Sequence, residues 1–264
     1  MRDRMNVDAG ADRVEVRPCE ARGPPGSVSV RLLLVRHGRV DFASREFRAT
    51  ARGRQWDPPL DEGGREQARR LAARLLMMDP PAAVFVSPFR RCHETLAPFV
   101  SEAGLHPTVV EDLGEVFIGR WEGMRFEDIV SEDEDLARRF REQEPMFSLA
   151  PGGETGQELR ARVVPAVESR LEDIQDGTVL IVSHGGVINA YLGHVMNIPH
   201  DMFFLPDNAS INTVEVEGDQ RAMRFLNDVR HLTDPAIFAA PAGGADHAKD
   251  ADLDSNPSES TEQA

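Results

Sequence analysis

Two histidines in this chain stand at the same kind of corner. Leu32-Leu33-Leu34-Val35-Arg36 runs into His37-Gly38, and Val179-Leu180-Ile181-Val182-Ser183 runs into His184-Gly185-Gly186. A continuous run of Leu, Val and Ile reads as a strand buried on both faces of a parallel sheet, and α/β folds bind ligands at the carboxyl ends of such strands. Side by side, the two strands bring two imidazoles and Arg36 to one cleft. Further predicted strand exits add Ser87-Pro88-Phe89-Arg90-Arg91 and Leu113-Gly114-Glu115. Two imidazoles, two or more guanidiniums and one carboxylate, with no acid pair suited to a divalent metal, point to an anion site that works without a metal ion. Phosphate is the natural occupant. Arginine forks pair bidentately with its oxygens, and a helix starting after Gly185-Gly186 adds amides and a positive dipole end. A neutral imidazole in that cage can attack phosphorus in line, while the cations keep it neutral and offset charge on the equatorial oxygens. The leaving alkoxide then needs a proton, which Glu115 is placed to supply.

The elements that must position these groups alternate between strand and helix from Val28 to about Asp234. That order predicts an α/β fold, a three-layer α/β/α sandwich with a mostly parallel sheet and an antiparallel edge hairpin. A long polar loop follows the first strand. A helix then opens at Asp61, a good cap residue, with Ala68, Leu71, Ala72, Leu75 and Leu76 on one face, and ends at Pro80-Pro81. Ala83–Val86 is a short strand leading into a helix through Leu96 and Val100. Val109 to Leu113 reads as another strand edge, and Arg125 to Glu144 as helical and heavily charged. Thr155 and Glu158 form a capping-box pattern. Val187 to Met196 continue as an apolar helix. Thr213–Glu217 and Arg221–Asn227 flank Gly218-Asp219-Gln220 as an edge hairpin with alternating faces.

The ends differ from this middle. Residues 1–27 mix charge with Pro and Gly and have no apolar period, so they are expected to be a disordered N-terminal arm. Residues 235–264 are expected to be a disordered acidic tail, with six acids against Lys249 from Asp246 onward. No apolar run is long enough for a signal peptide or a membrane helix. A net charge of −15 argues against nucleic acid as a partner. Cys19 and Cys92 form neither a CxxC pair nor a disulfide framework, which fits a reducing cytoplasm.

The motifs resemble the histidine phosphatase superfamily, in its phosphoglycerate-mutase-like branch. Its Arg-His-Gly signature matches Arg36-His37-Gly38, and its Asp-x-Pro-Leu-x-x-x-Gly-x-x-Gln-Ala segment matches Asp57, Pro59, Leu60, Gly64, Gln67 and Ala68. Ser87, Pro88, Arg91 and Thr95 match Ser-Pro-Leu-x-Arg-Ala-x-x-Thr, with Phe89 and Cys92 as departures. Leu113, Glu115, Gly119, Trp121, Glu122 and Gly123 match a further segment, and Pro151-Gly-Gly-Glu154 and Ser183-His-Gly-Gly186 complete the set. The resemblance spans about residues 30 to 232. It implies a phosphatase acting through a phosphohistidine and needing no cofactor. His37 would be the nucleophile, Glu115 the acid and then base, and Arg36, Arg91 and His184 the phosphate clamp.

Departures fall just after the signature. Arg39 stands where the family usually has Glu or Gln, Val40 at the next Thr position, and Ala43 at the usual Asn. Ser44 is the expected substitute for that Asn, and Arg39 an added substrate contact. Arg39 to Arg54 also hold Arg45, Arg48 and Arg52, a local positive excess suited to steering anions. A lone histidine is more often a structural residue, and His93, His106, His194, His200, His231 and His247 are read as surface or packing residues. Glu122 is read as structural, and Ser183 as facing away from His184 because side chains alternate along a strand. Met124, Phe126, Met146 and Phe147 are open to two readings, a substrate cap or core packing.

The expected substrate is a small phosphorylated molecule. One alternative is a phosphoglycerate mutase, which needs a second basic grip. Met124 to Ala150 holds eight acids against four arginines, which disfavours it. The other is a non-catalytic phospho-ligand binder, which would be expected to have lost the nucleophile, a clamp arginine or the acid.

Overall fold

In the computed structural model, described for residues 29–234 except 133, 143 and 145, the strands and helices alternate. In chain order they are β1 (Val30–Arg36), β2 (Phe47–Thr50), β3 (Gly53–Trp56), α1 (Glu62–Leu76), β4 (Ala83–Val86), α2 (Arg90–Ala103) and β5 (Thr108–Val109). Then come α3 (Phe126–Glu132), α4 (Glu134–Arg141), α5 (Gly156–Glu168), β6 (Gly177–Ser183), α6 (Gly185–Val195), β7 (Ile211–Glu217), β8 (Gln220–Asp228) and α7 (Arg230–Thr233). The arm at 1–27, Cys19 and the acidic tail at 235–264 lie outside the described residues. No helix among the described residues is long and apolar enough to cross a membrane.

Successive residues of a strand face opposite ways, and this sheet buries both faces. Leu32, Leu34, Val179 and Ile181 pack with Leu159 and Val163 of α5 and Val187 and Ile188 of α6. Their neighbours Leu33, Val35, Leu180 and Val182 pack with Leu71 and Leu75 of α1 and Leu96 and Phe99 of α2. This is a three-layer α/β/α sandwich. The strand order is β5-β4-β6-β1-β7-β8, with β1, β4, β5 and β6 parallel and β7 antiparallel to both its neighbours. The β1–β6 register pairs Arg36 with Ser183, so both strands stop level and His37 and His184 emerge side by side. The helix caps follow their sequences. Asp61 accepts the Gly64 N–H at 2.7 Å, and Thr155 and Glu158 form the capping box.

Three local expectations are corrected and a fourth is refined. The polar loop after β1 contains the β2–β3 hairpin, which pairs Phe47 with Trp56 and turns through Gly53 at a φ of 143°. It holds because Gln55 is buried while Arg54 lies over the Phe47 ring. The Val109–Leu113 strand is cut to the two residues of β5, followed by a 3₁₀ turn at Glu111–Leu113. The charged stretch at 125–144 is helical as expected, in two pieces, α3 and α4. β7 is an interior strand, paired to β1 as well as to β8, and so does not alternate. Its polar Asn212 is buried but satisfied, donating to the Leu34 carbonyl and accepting the Asn227 N–H.

The segment over the sheet edge is tied down by one carboxylate. Asp201, 8% exposed, accepts the N–H groups of Met146 and Phe147 at 2.8 and 3.0 Å. A buried N–H left without an acceptor costs roughly 1–3 kcal/mol, so this carboxylate sets where the chain after α4 sits.

Candidate active site

Three adjacent strand ends supply the floor of the site. His37 donates its N–H to the Ser183 carbonyl at 3.0 Å and Ser87 donates to the Val182 carbonyl at 3.0 Å, extending the ladders of β1 and β4 by one residue each. His37 and His184 then meet edge to face with ring centroids 5.3 Å apart. His37 Nδ1 lies 2.8 Å from the Gly38 carbonyl, an acceptor, so Nδ1 carries the proton and Nε2 is left with its lone pair. Burial holds the His37 pKa well below the usual imidazole value, with Arg91 and Arg36 adding to the effect. A histidine so placed stays neutral, the state a nucleophile requires.

Arg36 and Arg91 converge on the same cavity as His37. Arg36 donates one terminal nitrogen to the Pro206 carbonyl, while its Nε is buried without a partner. Burial lowers its pKa and the Glu115 charge raises it again. Arg91 is held on three sides, by the Trp56 carbonyl at 3.0 Å, by His184 Nδ1 at 3.2 Å and by Asp57 at 3.7 Å.

Glu115 comes from the turn after β5. Both its carboxylate oxygens face the Gly186 N–H, at 3.1 and 3.3 Å, in the first turn of α6. A Cβ at Gly186 would lie 2.5 Å from Glu115 Oε1, so the close approach needs glycine there. Arg162 of α5 holds this turn from behind. It donates to the carbonyls of Asp112, Gly114 and Glu115 and pairs with both oxygens of Glu154. Arg162 escapes a reading of the sequence because the carbonyls it holds lie some 50 residues away.

Three expectations shift. His184 is fully buried, and both ring nitrogens are taken by the protein. Nδ1 accepts from Arg91, so Nε2 carries the proton toward Ser87 Oγ at 2.6 Å. It therefore braces Arg91 and is not among the cavity-lining residues. Arg39 is turned outward and paired with Asp61 at 2.6 Å across the start of α1, away from the cavity wall. Ser44 is spent on its own loop, Oγ accepting the Glu46 N–H and its carbonyl the Trp56 indole N–H, and it does not line the cavity either. Arg48 and Arg52 of the loop are similarly engaged, Arg48 with the Pro88 carbonyl and Arg52 with Asp112 and Glu154.

Other placements match. Glu122 accepts the N–H groups of Trp56 and Ile118, a structural task, and Ser183 Oγ turns to the Leu113 carbonyl. Met124, Met146 and Phe147 serve both readings, lining the cavity and packing in the core. The Phe126 side chain lies outside the described residues. Ser87 is a positioning residue that the sequence reading left among the strand exits without a role.

Residues 32–229 match the family model described as Histidine phosphatase superfamily (branch 1). The chain is similar to the Bifunctional protein Rv2228c of Mycobacterium tuberculosis, 29% identical over 236 residues, covering 86% of this chain and 63% of that protein. It thus spans less than two thirds of that relative's length. It is also similar to a metal-independent phosphoserine phosphatase of Arabidopsis thaliana, 28% identical over 76% of this chain and 83% of the relative. Among solved structures, Bacillus stearothermophilus YhfR superposes with a TM-score of 0.64 at 30% identity, covering 77% of this chain and 99% of that one.

Proposed function

The chain belongs to the histidine phosphatase superfamily (branch 1), and from that premise we propose that it hydrolyses phosphomonoesters without a metal ion through a phosphohistidine on His37. The observation that carries this reading is the pairing of a neutral, Nδ1-protonated His37 with two buried guanidiniums on one cavity. His37 Nε2 attacks phosphorus as the ester P–O bond breaks, and Glu115 gives the leaving oxygen its proton. Water then attacks the phosphohistidine, Glu115 takes the proton back, and inorganic phosphate leaves. Arg36 and Arg91 carry the charge that builds on the phosphoryl oxygens, a role for fixed cations in a site that excludes water. His184 and Ser87 keep Arg91 aimed.

The mutase alternative needs a further cationic grip. Two of the four cap arginines are committed elsewhere, Arg138 to Asp135, Glu142 and Glu144, and Arg139 to Asp135. The protein's partner is a small phosphorylated molecule, and the charge of −15 keeps it off nucleic acid. A buried, unpaired Cys92 suits a reducing cytoplasm.

Phosphate release from a panel of phosphomonoesters in excess chelator tests this reading. Wild type is expected to turn over at an unchanged rate after chelation. Loss of the rate, restored by a divalent cation, would overturn the metal-independent mechanism.

A further inference from the structure

We propose that the alcohol carried by the substrate is apolar and without anionic groups, of aryl or medium-chain alkyl size; this rests on the phosphomonoesterase reading above. The cavity holds about 580 Å³, room for far more than a phosphate, and its charged end is confined to Arg36, Arg91, His37 and Glu115. Opposite that end the wall is built by the cap. Ile129 of α3, Leu136 of α4 and Met146 and Phe147 beyond them are each buried to 8% exposure or less and line the cavity. Met124 and Leu205 extend the same surface toward solvent.

Polar recognition on this wall is of one sign. Beyond the charged end, its ionisable side chains are Glu122 and Asp207, and among the described residues no arginine other than Arg36 and Arg91 lines it. Arg138 and Arg139 of the cap pair with the cap's own acids, as described above. A carboxylate on the alcohol would therefore be desolvated with no cation free to meet it, and near acids of its own sign. An apolar alcohol instead gains from burial along the wall. The plant relative is named for phosphoserine, and the cap wall of this chain points to a different alcohol.

The test compares kcat/KM of the full chain for propyl, butyl, pentyl and hexyl phosphate with phosphoserine, 3-phosphoglycerate and phosphoethanolamine, using His37→Ala as the blank. Each added methylene is expected to raise kcat/KM about fourfold. The carboxylate-bearing esters, phosphoserine and 3-phosphoglycerate, are expected about a hundredfold below hexyl phosphate. The double variant Met124→Ser, Leu205→Ser is expected to flatten the alkyl series; Leu205 is 59% exposed, and circular dichroism checks the fold. A flat wild-type series, a preference for a carboxylate-bearing ester, or a slope untouched by the double variant would overturn the substrate class while leaving the phosphatase reading in place. The absence of His37-dependent release from every ester would overturn the phosphatase reading and this inference with it.

Discussion

His37→Ala is expected to lower kcat for every phosphomonoester at least about ten-thousandfold, the scale on which removal of a covalent nucleophile acts. The loss should be chemical and not structural. The main chain at this position is held independently of the ring, through its N–H to Ser183 and its carbonyl, which accepts from Ala209 and from Asn208 Nδ2. The phosphate grip also survives, because Arg91 is fixed by Trp56, His184 and Asp57, and Arg36 by Pro206. The variant should therefore still bind inorganic phosphate, with an unchanged far-ultraviolet circular dichroism spectrum. Initial rates by phosphate release and phosphate affinity by calorimetry check both halves. Wild-type turnover in this variant would remove the nucleophile from the account.

Glu115→Gln should show a different pattern, selective for the leaving group. Glutamine keeps an acceptor for the Gly186 N–H and nearly the same shape, so the change removes the proton more than the geometry. General acid catalysis is worth about 10²–10⁴-fold, and it matters most where the departing alkoxide is strongly basic. Alkyl phosphates are therefore expected to lose about a thousandfold in kcat. An ester of an acidic phenol, whose anion leaves unaided, should lose far less in bond cleavage. The ratio of the two losses, measured in parallel, reports the role. Equal losses for both esters would make Glu115 a positioning residue for α6 and not the proton donor.

Both effects depend on groups that were legible before any coordinates. The paired apolar runs at Leu32–Arg36 and Val179–Ser183 predict buried parallel strands because a strand covered on both faces has no polar side, and the level register of β1 and β6 follows. Asp61 and Thr155 mark helix starts because capping is local chemistry. What was not legible depended on distant partners. Arg39 and Ser44 adjoin the signature, yet each finds a nearer partner, Asp61 for one and the Glu46 N–H for the other. Motif adjacency therefore overstated their reach. His184 sits on a matching corner, but the Arg91 and Ser87 side chains reaching it from the neighbouring β4–α2 turn claim both its nitrogens. The β2–β3 hairpin carries no legible signal because its strands are four residues long, each with an arginine, and its order comes from the buried Gln55 and from Arg54 lying over the Phe47 ring, which no period-two pattern reveals. β7 was misread for a related reason. Its polar Asn212 and Thr213 mimic an exposed face while being buried against β1.

The central claim is that the phosphoryl group passes through a nitrogen of His37. Mixing the enzyme with a radiolabelled phosphomonoester and quenching within the first turnover measures this directly. The account predicts protein-bound label that survives alkali, is released by acid, as a phosphoramidate is, and is absent in His37→Ala. Label stable to acid, or label undiminished in His37→Ala, would contradict it.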